Sequence, residues 1–106
     1  MILTTTESVP GRKVSKILGV VFGSCVKTKH LGKDLRASLR TLVGGEVRGY
    51  TDMMEESKTI ATQRLIEQAE KLGADAVIGL RYTTAMTMRG AAEILAFGTA
   101  VKLEQE

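Results

Sequence analysis

The sequence has no tryptophan and only one cysteine, one histidine and one proline. A single cysteine excludes an internal disulfide and any metal centre built from cysteines alone. Two phenylalanines and two tyrosines are all the aromatics, too few for a base-stacking surface. The longest clearly apolar run, residues 17–22, is far too short to cross a bilayer. The first residues lack the basic patch and apolar core of a signal peptide. These absences point to a cytoplasmic protein with no membrane partner.

What is present is aliphatic. The chain has 106 residues, 43% of them hydrophobic, with 11 glycines. That length predicts one domain spanning residues 1–106, and the apolar content argues against disorder. The net charge of +3 is unevenly placed. Residues 1–50 carry nine Lys/Arg against three Asp/Glu, and residues 51–106 carry six against nine. The basic half suits an anion or the acidic half of a neighbouring copy. The bases are dispersed, so nucleic acid is disfavoured as a partner.

Periodicity predicts the elements. Ile2–Thr6 is rich in β-branched residues and reads as a strand. Val9-Pro10-Gly11 reads as a turn. Arg12–Lys29 is the longest β-like stretch, with a bend, bulge or close backbone approach expected at Gly19 and Gly23. Leu31, Leu35, Leu39 and Leu42 predict a helix over Leu31–Val43, ended by Gly44-Gly45. A second helix is expected from an Asp52/Glu55 capping box to Gly73, with Met53, Ala61, Leu65, Ala69 and Leu72 on its apolar stripe. Ala76–Thr84 and Glu93–Leu103 read as closing strands around a hairpin connection over Met86–Ala92. Strict alternation puts Ile78, Leu80 and Tyr82 on one side, opposite Val77, Gly79 and Arg81. In the last strand, Leu95, Phe97, Thr99, Val101 and Leu103 oppose Ile94, Ala96, Gly98 and Ala100, so both faces are expected to be covered. The expected fold is α+β: an antiparallel sheet with two helices in the order β-β-α-α-β-β.

The chemistry on offer is sparse. Cys25, with Lys27 and Lys29 nearby, is the single soft metal-ligand candidate, and no Cys-x-x-Cys or His-x-x-x-His accompanies it. His30 is flanked by Lys29 and reads as a surface or helix-entry residue. Gly44-Gly45-Glu46 lacks the Lys-Ser/Thr of a phosphate-binding loop, though its N–H groups suit a small anion. Asp75, between Ala74 and Ala76, reads as a carboxylate accepting local backbone hydrogen bonds. Arg81 and Glu93 lie on the two closing strands and would pair if their registers matched. Met86 and Met88 mark a contact edge near the hairpin tip. The residues single out no cofactor.

One family gathers these features. The chain resembles the YbjQ-like family, also called UPF0145, which carries a heavy-metal-binding description. The resemblance rests on Thr4-Thr5-Thr6, Gly19-Val20-Val21-Phe22-Gly23, Gly44-Gly45 and Tyr50 before the long helix. Its most specific segments are the run from Leu72 to Arg81 and Gly98-Thr99-Ala100-Val101. The resemblance implies helices packed on an antiparallel sheet and a ring assembly, typically a pentamer. It implies structural roles for Gly19, Gly23, Gly73, Asp75, Gly79 and Gly98.

The leading functional expectation is a non-enzymatic homo-oligomer acting through a ring surface or an intersubunit pocket. Gly44, Gly45, Glu46, Tyr50 and Arg81 are the candidate pocket residues. A heavy-metal-binding or metal-responsive protein using Cys25 is the alternative. A small-molecule enzyme with an intersubunit site is the second alternative.

Overall fold

The computed structural model describes residues 1–28, 48–88 and 91–106. Strand β1 is Ile2–Leu3, β2 is Arg12–Thr28, helix α1 is Arg48–Lys71, β3 is Ala76–Met88 and β4 is Ala91–Gln105. Among the described residues the order is therefore β-β-α-β-β. The helix expected over 31–43 lies outside the described residues, as do His30, Gly44, Gly45 and Glu46.

The strands form one sheet in the order β1-β3-β4-β2. β2 and β3 both pair antiparallel with β4, whereas β1 pairs parallel with β3 through Ile2↔Ala76 and Leu3↔Val77. The sheet is thus mixed, which corrects the antiparallel expectation. The cause is connectivity: β2 pairs with the last strand, so the N-terminal strand is left to join the outer edge of β3. The fold is that of a single subunit, and the ring arrangement is not a feature of it.

Local chemistry sets the ends of the elements. The Arg12 N–H donates to the Val9 carbonyl at 3.1 Å, with Pro10 and Gly11 between them and Gly11 at φ +76°. That is a type II turn, which needs positive φ at its third residue. α1 begins at Arg48, so Asp52 lies inside it and does not cap it. Arg48–Thr51 contains no proline, and helical bonding propagates a turn upstream of the expected box. At the other end the Gly73 N–H reaches the Glu70 carbonyl at 3.0 Å and the Ala74 N–H reaches the Ala69 carbonyl at 3.1 Å. With Gly73 at φ +75°, this is a Schellman cap.

The core lies between α1 and one face of the sheet. Val21 and Cys25 from β2, Ala61, Leu65 and Ala69 from α1, Val77 and Leu80 from β3, and Ile94, Ala96 and Ala100 from β4 are buried together. The sheet contributes mostly small side chains on this face, so α1 sits close. A β-carbon on Gly23 would collide with the Ala61 carbonyl and the Leu65 amide, so glycine is required where helix and strand backbones touch.

Of the four bulges in the sheet among the described residues, two carry a glycine at positive φ. Ile78 pairs with Thr99 but Arg81 pairs with Phe97, so β3 carries one extra residue where Gly79 adopts φ +61°. The extra residue reverses the alternation. Val77 and Leu80 both face α1, and Ile78 and Arg81 fall on the opposite face, correcting the strict alternation expected from sequence. The second lies between Ile17 and Gly19 in β2, with Gly19 at φ +139°. Gly23 itself stays in register, opposite Ala96.

The subunit is elongated, with extents of 55 × 24 × 16 Å and a radius of gyration of 17.5 Å. A compact chain of this length would have a radius near ~13 Å. The long axis is about the length of β2, since 17 residues at ~3.3 Å each span roughly 56 Å.

Candidate functional site

The face of the sheet turned away from α1 is only partly covered. At one end Val9 and Ile78 pack over Ala76, Val101 and Leu103. Beyond that patch β2 presents Ile17 at 68% exposure, Val20 at 59%, Phe22 at 50% and Val26 at 55%. Cross-strand rows extend this surface. Val20 lies opposite Thr99 and Ile78, Phe22 opposite Phe97 and Arg81, Ser24 opposite Leu95 and Thr83, and Val26 opposite Glu93 and Ala85. Both sheet faces were expected to be covered. Among the described residues the helix covers one, and the other stays open along β2.

α1 is fixed to β2 by side chains that reach the strand backbone. The Phe22 N–H donates to Gln68 Oε1 at 2.7 Å, and Arg64 donates to the Ser24 carbonyl at 2.6 Å. Around these bonds lies a concavity of ≈ 470 Å³ lined by residues 22–24, Arg64, Glu67, Gln68 and Lys71. Of its polar side chains, Arg64 and Gln68 are already engaged with backbone. One helical turn or more away, Lys27 pairs with Glu56 at 2.8 Å, and this hydrogen-bonded carboxylate raises the lysine pKa.

Arg81 stands on the open face and donates to the Thr5 carbonyl at 3.1 Å and to the Leu80 carbonyl at 3.3 Å. It thereby holds the Thr4–Thr6 segment, which runs beside β3 through the Thr4, Gly79 and Leu80 amides. The two closing strands do not align Arg81 with Glu93: Arg81 is opposite Phe97, and Glu93 is opposite Ala85.

Asp75 is a long-range fastener at the junction of α1 and β3. Its carboxylate accepts the Leu103 N–H at 2.8 Å and the Lys102 ammonium at 3.3 Å. The Leu103 bond, then the lysine, hold its pKa below the ordinary carboxylate value against partial desolvation. Lys102 also caps the helix end by donating to the Gly73 carbonyl at 2.9 Å. Gly98 faces the β3 bulge, where a β-carbon would press on Val77 and the Ile78 carbonyl.

The metal candidate sits elsewhere. Cys25 is 4% exposed and enclosed by the aliphatic core under α1. Among the described residues no three His, Cys, Asp or Glu side chains come together. Of the five candidate pocket residues, Gly44, Gly45 and Glu46 lie outside the described residues, Tyr50 is in the first turn of α1, and Arg81 is on the open sheet face. The structure does not bring Cys25 and Arg81 together: one faces the helix and the other faces away from it.

Sequence reading missed Arg64 and Gln68. The available signal was their i,i+4 spacing one position before the buried Leu65 and Ala69, which puts both at the flank of the packed stripe.

Comparison with known proteins agrees with this architecture. A family model described as "Putative heavy-metal-binding" (YbjQ type) matches residues 1–104. A UPF0145 protein of Thermotoga petrophila is 63% identical over 105 residues, covering 99% of each chain. A UPF0145 protein of Thermus thermophilus is 58% identical over 104 residues, covering 98% of this chain and 91% of the relative. A crystal structure of a protein of unknown function from Pediococcus pentosaceus superposes with a TM-score of 0.65 at 21% identity, covering 98% of both chains, and shares the fold.

Proposed function

The chain belongs to the YbjQ-like (UPF0145) family, and from that premise we propose that it is a non-enzymatic, single-domain subunit that associates with copies of itself through the open face of its sheet. The observation that carries this reading is the file of Ile17, Val20, Phe22 and Val26, all at least half exposed along one strand. Apolar surface gathered on one face marks an interaction site. The elongated shape supports the same reading, because a ribbon of this kind leaves one face for another chain to cover. Covering the exposed half of Phe22 alone contributes about 1 kcal/mol. Five copies is the count proposed, and it rests on the family resemblance.

A heavy-metal role would need Cys25 to find further ligands, and its described neighbours in the core are aliphatic. No helix of the described residues is long and apolar enough to cross a membrane. The surface of the protein is therefore where this reading places its work.

Light scattering tests it. The protein is expected to run as a multiple of 11.4 kDa at micromolar concentration. Phe22→Asp is expected to reduce the mass to that of one chain while the far-ultraviolet circular dichroism stays unchanged, because the Gln68 bond uses the Phe22 backbone and not its ring. A monomeric parent protein would overturn the reading.

A further inference from the structure

Across the four rows from Val20 to Val26, the open face is apolar or hydroxyl-bearing apart from two charges of opposite sign. Arg81 stands in the row of Phe22 and Phe97, and Glu93 stands in the row of Val26 and Ala85. They lie on adjacent strands, two rows apart, with Leu95 and Thr83 in the row between them. At ~3.3 Å per residue, the four-residue offset separates them by about 13 Å along the strands, beyond the reach of one ion pair. Among the described residues neither has a partner of opposite charge: Arg81 donates to two carbonyls, and Glu93 is absent from every ion pair and hydrogen bond.

Glu93 is already half-buried, and its described cross-strand neighbours, Val26 and Ala85, cannot bond its carboxylate. Covering the face with an apolar partner would desolvate both charges without compensation, which is strongly unfavourable. A neutral groove or lipid surface is therefore a poor occupant. Copies of this chain supply the complement of each charge on the same kind of apolar ground, Arg81 meeting one neighbour and Glu93 the next, as closure with five copies requires. Arg81 is also pre-positioned, because the Thr5 carbonyl holds its guanidinium over the face while leaving further N–H groups to donate.

We infer that Arg81 of one copy pairs with the partner's Glu93 across the open face, and that this pair sets the register in which copies meet. The inference rests on the self-association proposed above and adds its specificity element. The apolar file supplies the area, and the charge pair rejects misaligned docking, where like charges or unpaired charges would be covered.

A charge exchange tests it by light scattering and sedimentation. Glu93→Arg removes no bond within the chain, so its fold is expected to be intact, and its self-association is expected to weaken at least about tenfold. Arg81→Glu is expected to weaken it similarly. A 1:1 mixture of the two single variants is expected to associate more strongly than either variant alone, since every mixed contact joins opposite charges, while an odd closure keeps one like contact. The Arg81→Glu/Glu93→Arg double variant serves as a second route to the same recovery if Arg81→Glu alone folds poorly without its Thr5 bond. Assembly of Glu93→Arg at parental strength, while Phe22→Asp dissociates, would overturn the charge pair and leave the open-face reading standing. Weakened single variants with no recovery in either the mixture or the double variant would overturn it too. A parent protein that is monomeric throughout would remove both.

Discussion

The carbonyl oxygen of Ala61 lies so close above Gly23 that no β-carbon fits between them. This one approach sets the distance between α1 and the sheet. It explains why a long strand carries glycine at a position that needs neither positive φ nor a bulge.

Gly23→Ala is accordingly expected to push the helix off β2 and to destabilise the subunit by about 3 kcal/mol, because the colliding atoms are backbone on both sides. Urea unfolding followed by circular dichroism reads the shift in midpoint. A change below about 0.5 kcal/mol would show that α1 is not seated as described.

Ser57 is fully buried one turn before Ala61, and among the described residues its hydroxyl has no hydrogen-bond partner. An orphan hydroxyl costs about 1 to 3 kcal/mol, and alanine is also the better helix former. Ser57→Ala is expected to stabilise the protein by about 1 kcal/mol, raising the thermal midpoint by several degrees. A fall in midpoint would mean that the hydroxyl holds a partner in solution.

Asp75 links the end of α1 to β4, and its pKa is lowered in the folded state. A depressed pKa means that the unfolded chain binds the proton more readily. The stabilisation is therefore complete above the unfolded value near ~3.9 and is lost as pH falls through the lower folded value. Asp75→Asn is expected to flatten the acid limb of the stability curve below about pH 4, while lowering stability at neutral pH. Denaturant titrations at pH 7 and pH 3 measure both effects. An unchanged acid limb would mean that other carboxylates govern it.

Much of the fold was legible in the residues. Gly73 at the helix end, the Pro10-Gly11 turn and the unbroken alternation of β4 all have local causes, and each appears in the structure. The helix start was misread because a capping box is a local pattern that helical bonding upstream can bypass. The parity of β3 was misread because a bulge at Gly79 looks in sequence like any glycine in a strand. The parallel pairing of β1 depends on which strand the distant β2 chooses, and no window along the chain records that.

The candidate site was less legible for the same reason. Asp75 reads as a local turn residue, yet its carboxylate reaches Leu103, 28 positions away in sequence. Arg81 and Glu93 would pair only if their registers matched, and the pairing of β3 with β4 places them in different rows. The open face along Val20, Phe22 and Val26 follows from α1 lying on one side only, which the apolar character of both faces concealed.

The bonds from Gln68 and Arg64 have an effect beyond fastening the helix. β2 is an outer strand, and its Phe22 N–H and Ser24 carbonyl belong to its free edge. Those two groups are what an incoming strand would use to lengthen the sheet. With a glutamine and an arginine already seated on them, the middle of this 17-residue edge is closed to fibril-like growth.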